Sequence, residues 1–318
     1  MAILTKLQNK DFENILENYK IGKHKSHKHL PWALGNTVYL LKTTRGKFIL
    51  KIFENAKEDF INFQLKIMQL MEKEKLPSPQ VMLTSGSKSL LILKKRKIII
   101  QRFVEGKPAK RFTKKLIEDI AEKHGKLNRA LMKMGLKGKY TWKKDYQFKP
   151  LMFDVKRYEG FGILEENKKL REEFRQVKKQ NLRRSVVHGD FNRGNLLVKN
   201  QKLNAIIDLD DAHEDFVVQE ISNFITMSFI DWKGRVDYGK IKLYLKGFEK
   251  YFKLNPSERE AIYFFIKHRF QGIIGWHVSQ LKKHTDMGKR LRKAVKKWIR
   301  KYERFCETSP EKFLRNLT

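Results

Sequence analysis

One stretch of 21 residues constrains this chain more than any other. It pairs a glycine-flanked acidic loop with a hairpin that brings a second acid back to it. The loop reads His188-Gly189-Asp190-Phe191-Asn192-Arg193-Gly194-Asn195, after the short apolar Val186-Val187, and the return strand ends Ala205-Ile206-Ile207-Asp208. Leu196-Leu197-Val198 reads as a short strand, Lys199-Asn200-Gln201-Lys202 as a polar turn, and Leu203 to Ile207 as the strand back. Out and back are about equal in length, so the hairpin is expected to return Asp208 to the end where Asn195 left. Gly189 and Gly194 permit backbone turns that a Cβ resists.

A carboxylate, an amide and a second carboxylate gathered in this way suit magnesium-dependent phosphoryl transfer. Asp190 can accept the proton of an incoming hydroxyl, while Asn195 and Asp208 offer oxygen ligands at the Mg–O distance of roughly 2.0–2.1 Å. A lone Asp-x-x-x-x-Asn more often marks only a turn. Here strand, loop, amide and hairpin occur in order, which favours the catalytic reading.

The 318 residues suffice for one large or two modest domains with real cores. No apolar run approaches the ~18 residues of a membrane span, and the N-terminus lacks the apolar core of a signal peptide. Cys306 is the single cysteine. An intramolecular disulfide is therefore excluded, which fits a reducing cytoplasm. The net charge of +35, from 70 basic and 35 acidic residues, would attract nucleotides, nucleic acid or acidic lipid. The basic residues are nevertheless spread through every segment, as in Lys282-Lys283, Lys289-Arg290 and Lys296-Lys297. Solvated helix faces account for most of them. No zinc-finger spacing or aromatic RNA-recognition signature accompanies them.

Asp11 to Tyr19 reads as a helix with Phe12, Ile15 and Leu16 inward. His24, His27 and His29 lack Cys or carboxylate neighbours and are expected in a solvated loop. Thr37–Thr44 and Lys47–Phe53 flank an Arg45-Gly46 turn as a β-hairpin. Lys51 sits inside its second strand, facing either solvent or the α- and β-phosphates of a nucleotide. Glu58 to Glu74 is helical, and Pro77 and Pro79 stop it. A second hairpin runs from Ser89–Leu93 to Lys97–Phe103. The pattern breaks at Val104-Glu105-Gly106-Lys107-Pro108, which sets the expected domains at 1–103 and 104–318. Beyond it come helices over 113–134, 164–180, 220–230, 238–252, 257–282 and 289–305, with a loop over 135–150. Leu291, Val295, Trp298, Ile299, Tyr302 and Phe305 give the last helix a core-facing stripe.

His188-Gly189-Asp190…Asn195, Ile207-Asp208, Lys51 and the Pro77-Ser78-Pro79 break together resemble the aminoglycoside phosphotransferase/choline kinase family. The resemblance covers about residues 34–269. It implies an α+β, bilobal protein-kinase-like fold, with a small β-rich N-terminal lobe and a larger helical C-terminal lobe. The hairpin from Gly35-Asn36-Thr37 to Ile52-Phe53-Glu54, and the order Tyr251-Phe252, Ser257-Glu258-Arg259-Glu260, Arg269-Phe270, are most similar to the type II homoserine kinase-like branch. By this likeness Asp190 is the base, Asn195 and Asp208 bind Mg²⁺, and Lys51 contacts ATP phosphates. Gln101 to Glu105, including Phe103, would be the hinge that bonds adenine. Gly35 and its hairpin would replace the absent Gly-x-Gly-x-x-Gly. Asp210, Arg269 and His277 are candidates for a substrate or second-metal contact. Gln64 stands where many members place the glutamate that pairs with the lysine, so Glu58 or another arrangement would orient Lys51. Glu220 stands where the family often has Asp, a structural position at which little loss is expected. His-Gly-Asp, Asp208-Leu209-Asp210 and the lack of Ala-Pro-Glu argue against a protein kinase.

The expected partner is a small hydroxylated metabolite: homoserine first, then an amino alcohol or aminosugar. Asp210, Asp211, Glu214 and Asp215 are either the acidic wall for its amine or a solvated loop. A second reading is an anion-surface protein on a kinase-like scaffold, binding nucleic acid or acidic lipid. A third is a kinase of a lipid-linked sugar. Oligomeric state stays open.

Overall fold

The structure is a computed structural model that describes residues 5–31, 35–135, 161–283 and 288–317. The loop expected over 135–150 lies outside the described residues, apart from Gly135. Two compact units emerge. One holds the chain to Lys107 with Leu197–Lys199 and Asn204–Ile207; the other holds Pro108–Leu196, Asn200–Leu203 and the chain from Asp208 onward.

The first unit opens with α1 (Asn9–Leu16), which buries Phe12, Ile15 and Leu16 as its 3–4 spacing requires. An antiparallel sheet follows in the order β1-β2-β3-β5-β4, built from β1 (His24–His29), β2 (Thr37–Thr43), β3 (Gly46–Phe53), β4 (Leu91–Leu93) and β5 (Arg96–Arg102). Along β2, Thr37, Tyr39, Leu41 and Thr43 are buried in strict alternation. Tyr39 and Leu41 join Phe12, Phe48, Leu50, Ile98 and Ile100 in one core, each large apolar side chain contributing roughly 1.5–3 kcal/mol. Helix α2 (Glu58–Lys73) buries Ile61, Phe63, Leu65, Ile67, Met68 and Met71, and with them Gln64.

The histidines 24, 27 and 29 are not a solvated loop. They form β1, paired with β2. A register shift between His24 and Ser26 lets His24 reach His27, with Nε2 and Nδ1 3.2 Å apart. The His27 ring stacks on Phe12 at 4.0 Å, and His29 lies 5.3 Å from Tyr39. The aromatic contacts come from α1 and β2, so the six polar residues gave no local strand signal.

In the second unit, Thr113 accepts a hydrogen bond from the Leu116 N–H and caps α3 (Lys114–Met134), which ends at Gly135 with φ +62°. After α4 (Leu164–Val177), β7 (Arg184–Val187) pairs antiparallel with β10 (His213–Phe216). Between them in sequence lie a 3₁₀ turn (Arg193–Asn195), β8 (Leu196–Lys199) and β9 (Lys202–Ile206). A two-residue turn at Asn200 and Gln201, both near φ +55°, joins β8 to β9 in the type I′ manner. A short β6 (Lys107–Pro108) completes the sheet order β6-β8-β9.

Helix α5 (Val217–Ser228) is buried on every side from Val217 to Thr226, which marks it as a core helix. Then come α6 (Tyr238–Phe248), α7 (Pro256–Lys283), α8 (Gly288–Cys306) and α9 (Pro310–Arg315). Asn255 and Glu258 cap α7 reciprocally, each side chain accepting from the other's backbone N–H at 2.8 and 3.0 Å. Helix α8 buries Leu291, Val295, Trp298, Tyr302 and Phe305 and exposes Lys289, Arg290, Lys296 and Lys297. That is the solvated basic face expected from its period. Lys301 breaks the rule, since it lies within the buried stripe.

Candidate active site

The loop after β7 is fixed by its backbone. Gly189 adopts φ +80°, and a Cβ there would sit 1.9 Å from the carbonyl oxygen of Asp211. Only glycine permits this approach of the loop to the segment after Asp208. The Gly189 N–H donates to Glu220 Oε2 at 2.9 Å. The next carboxylate, Asp190, is held from three sides. Asn195 Nδ2 donates to its Oδ2 and to its backbone oxygen, both at 3.0 Å. Asn192 Nδ2 donates to the same backbone oxygen at 3.1 Å. Arg269, reaching from α7, donates to Oδ1 at 2.8 Å. The Arg269 and Asp190 side chains keep 22% and 29% exposure, so the pair stays open to a ligand.

Asn195 spends its NH₂ on Asp190, which leaves its Oδ1 as an acceptor. Asp208 is exposed and adopts φ +68°. Left-handed backbone at a non-glycine residue costs of order 1–3 kcal/mol and concentrates at functional positions. Two hard oxygen donors, one of them a carboxylate, fit Mg²⁺, which is held through one or two carboxylates with water and substrate phosphate completing the shell. Among the described residues, no group of three His, Cys, Asp or Glu could hold a metal by itself. Asp210 lies beside Asp208, its N–H 3.4 Å from Asp208 Oδ1.

Behind the loop runs a buried polar relay. Glu220 Oε1 lies 3.1 Å from His124 Nε2, and His124 Nδ1 lies 2.6 Å from the Tyr244 hydroxyl. Burial holds His124 below the usual histidine range, against the pull of Glu220. Burial also pushes the Tyr244 hydroxyl well above its ordinary pKa. Burial pushes the Glu220 carboxyl up, but the hydrogen bonds it accepts from His124 and the Gly189 N–H, with His188 nearby, outweigh it and leave it below the ordinary value. The consistent assignment is Tyr244 O–H to Nδ1, a neutral imidazole, and Nε2–H to the Glu220 carboxylate. The His124 ring also stacks on Phe191, the residue after Asp190, at 3.6 Å between centroids.

The sequence reading gave Glu220 a minor structural role and did not single out His124. Both left a signal. His124 falls on the apolar stripe of α3 with Ile117, Ile120, Leu127 and Leu131, and Glu220 interrupts a mostly apolar helix. Polar groups at core positions are uncommon unless hydrogen-bonded.

The acidic wall expected from Asp210, Asp211, Glu214 and Asp215 does not form as a unit. Asp215 is fully buried on β10, and burial pushes its carboxyl up to about 8. Glu214 pairs with Arg184 at 3.1 Å. Strand pairing with β7 turns these two to opposite faces, while Asp210 and Asp211, like Glu214, remain half-exposed.

In the first unit, Lys51 is 8% exposed, with its ammonium 4.9 Å over the Phe53 ring. Gln64 is buried, and neither amide atom has a hydrogen-bond partner among the described residues. Glu58 is exposed. Gly35 precedes β2, with no described heavy atom within 4 Å of where a Cβ would stand. Gln101 lies within β5 opposite Ile49, so its backbone belongs to the sheet rather than to a free hinge. The Phe103 N–H donates to Lys47 O at 3.1 Å. Glu105 pairs with Lys199 at 2.5 Å, and its carbonyl accepts the Asn204 amide at 2.7 Å. In the second unit, His277 Nδ1 donates to Ile273 O at 2.8 Å.

A carboxylate held by an amide and an arginine, beside an exposed acid on a left-handed turn, is an arrangement that suits phosphoryl transfer. Residues 28–254 match the phosphotransferase enzyme family, and the chain belongs to it. The homoserine kinase of Bartonella henselae is 24% identical over 275 residues, covering 82% of this chain and 83% of that protein. An amicoumacin kinase in complex with AMP-PNP, Ca²⁺ and Ami shares the fold at a TM-score of 0.72 and 16% identity, over 92% of this chain and 93% of that one. A microcompartment-associated aminopropanol kinase does so at 0.71 and 16%, over 94% and 98%.

Proposed function

We propose that the chain transfers the γ-phosphoryl group of ATP to the hydroxyl of a small amine-bearing metabolite, with homoserine the first acceptor to test. The observation that carries this reading is the constraint on Asp190, whose two oxygens are bonded separately by Asn195 and Arg269. A carboxylate so oriented can take the proton of an acceptor hydroxyl as the new O–P bond forms and the bond to the departing ADP breaks. Asn195 and Asp208 would hold Mg²⁺, which when bound supplies charge neutralisation on the phosphates. Lys51 would contact the phosphates, and backbone between Phe103 and Glu105 the adenine. Gly35, Asp210 and His277 are secondary contacts in this reading. Use of ATP and the single cysteine suit the cytoplasm.

An ADP-release assay with ATP and Mg²⁺ tests it, across homoserine, 3-aminopropan-1-ol, ethanolamine and an aminoglycoside. Acceptor-dependent turnover is expected, and Asp190→Asn should lower kcat by about 10²–10⁴-fold. No ADP above background with any acceptor, together with an inert Asp190→Asn substitution, would overturn the enzyme reading. Binding to RNA or anionic vesicles that weakens steeply with salt, with no turnover, would favour the anion-surface alternative.

A further inference from the structure

Helix α8 differs from the rest of the chain in its charge. Its 19 residues hold nine basic groups and one acidic, Glu303, where the whole chain holds two basic residues for each acid. Apart from the buried Lys301, all eight basic side chains on it, from Lys289 to Arg304, are exposed. At 100° and 1.5 Å per residue they fall within an arc of about 160° along about 22 Å of helix.

The contrast is with α4, where Lys168, Lys169 and Arg175 each pair with a glutamate one turn back, at 2.7, 3.0 and 2.5 Å. No exposed cation of α8 makes an ion pair among the described residues. They stand beside one another instead. Lys289 and Lys293, Lys293 and Lys297, and Lys296 and Arg300 are each one turn apart, a spacing at which like charges destabilise a helix. An anionic partner would relieve that repulsion.

Three features of the face set the partner. The apolar stripe of α8 is spent on the core, where Trp298, Tyr302 and Phe305 pack on Phe270 of α7, so the helix can lie on a surface but cannot enter one. It holds no Asn, Gln, Ser or Thr, and so lacks most of the side chains that read base edges. At its edge Trp232 is 50% exposed, with the Lys297 ammonium 3.7 Å from its ring centroid and the Trp298 ring at 4.7 Å. A nucleic-acid base would compete with these contacts for the ring. At a bilayer interface an indole needs only its exposed part among the headgroups.

We propose that the outer face of α8, with Trp232 at its edge, docks the protein on an anionic phospholipid bilayer. The cations meet the headgroup phosphates, as basic helix faces do on acidic leaflets, and the indole anchors the edge. This surface uses none of the residues around Asp190, so it stands beside the phosphotransfer reading and does not depend on it.

The test uses the full chain in sedimentation with vesicles of phosphatidylcholine, alone or mixed equally with phosphatidylglycerol. Binding is expected to the mixed vesicles only, and it should weaken as salt is raised. A basic residue near an anionic surface strengthens binding by about fivefold, so Lys293→Gln, Lys296→Gln and Arg300→Gln combined should weaken it about 100-fold. Glutamine is a good helix former and removes the like-charge neighbours, so the melting temperature should hold or rise. The same change at Lys42, Lys66 and Lys73, exposed in the first unit, removes equal charge and should weaken binding less than about threefold. Trp232→Ala should weaken it by at least about threefold.

Equal losses from the two triple variants overturn the α8 surface, because net charge alone would then be at work. A wild-type chain that ignores the mixed vesicles overturns it too. Bulk transfer RNA bound by the wild type and lost with the α8 triple, at a salt concentration where vesicles are not bound, overturns the bilayer in favour of nucleic acid. An unchanged affinity in Trp232→Ala overturns the part given to the indole.

Discussion

In the proposed reaction the relay behind the Asp190 loop would make Glu220 a positioning residue, and truncating it tests this directly. Glu220 is 1% exposed and accepts from the Gly189 N–H at 2.9 Å and His124 Nε2 at 3.1 Å. Glu220→Ala leaves the buried His124 donor and the part-buried Gly189 N–H unmatched, so destabilisation of about 1–4 kcal/mol is expected. Glu220→Gln keeps one oxygen but presents an NH₂ to the second donor, so about 1–3 kcal/mol is expected. Urea unfolding followed by circular dichroism measures both. A double-mutant cycle with His124→Phe should give a coupling of about 1–3 kcal/mol.

The pH dependence of this relay has a definite sign. Both Glu220 and His124 have pKa values lowered by folding. The unfolded chain therefore binds protons first as pH falls, and stability drops below about pH 6.5 for the imidazole and further below about 4.5 for the carboxylate. Glu220→Gln should flatten the acid limb. Because Gly189 precedes Asp190, kcat per folded molecule should also fall at least tenfold. A Glu220→Ala variant within 0.5 kcal/mol of wild type on the scale of ordinary surface substitutions would refute the relay, and an unstable Glu220→Gln with unchanged kcat would refute positioning.

Three further outcomes are expected. Gly189→Ala must displace the Asp211 carbonyl and adopt a left-handed backbone, so it should cost about 2 kcal/mol or more and lower kcat; wild-type-like melting and turnover would contradict the close approach. Asp215, with its carboxyl raised to about 8, retains in the fold a proton that the unfolded chain releases near pH 4, so its contribution to stability is lost as pH rises toward 8. Asp215→Asn should gain stability relative to wild type between pH 6 and 9 in melting scans, and a constant difference across pH would rule this out. Lys301 is buried against Trp232, Trp298 and Phe270, and burial pushes its amine down to about 8. Between pH 8 and 10.5 the unfolded chain binds the proton that the fold has released, so wild-type stability rises there, by roughly 3 kcal/mol in total. Lys301→Met should be favoured over wild type more at pH 7 than at pH 10 by that amount, whatever constant offset the lost cation–π contacts add, and equal differences at the two pH values would refute it.

These predictions rest mostly on residues that local pattern did not single out, for a physical reason. Period found the helices as far as α8 and the two first-unit hairpins, because an apolar stripe must face the core wherever the core lies; the short α9 was not expected. The conformation of the Asp190 loop was legible because its glycines, amide and acids are adjacent in sequence. The pairing of β7 with β10 was not: His213-Glu214-Asp215-Phe216 has the composition of a solvated loop, and only backbone pairing across 30 residues makes it a strand. The strand β1 is a similar case, with its aromatic support supplied by Phe12 and Tyr39.

Lys301 shows how charge counting misleads in the other direction. On α8 the basic residues read as a solvated face, and for Lys289, Arg290, Lys296 and Lys297 that holds. Lys301 lies three residues after Trp298 and one before Tyr302, on the apolar side of the same helix. Its ammonium is left with one hydrogen bond to a described residue, to Thr226 O at 3.3 Å, and three aromatic faces. A net charge of +35 therefore mixes exposed lysines, whose interactions salt screens over about 8–10 Å, with at least one buried group that salt scarcely reaches. Binding that tracks the exposed set should collapse with ionic strength. The Arg269–Asp190 ion pair is only partly exposed, so it should weaken much less, and this separates an anion-attracting surface from an acceptor site in one salt titration.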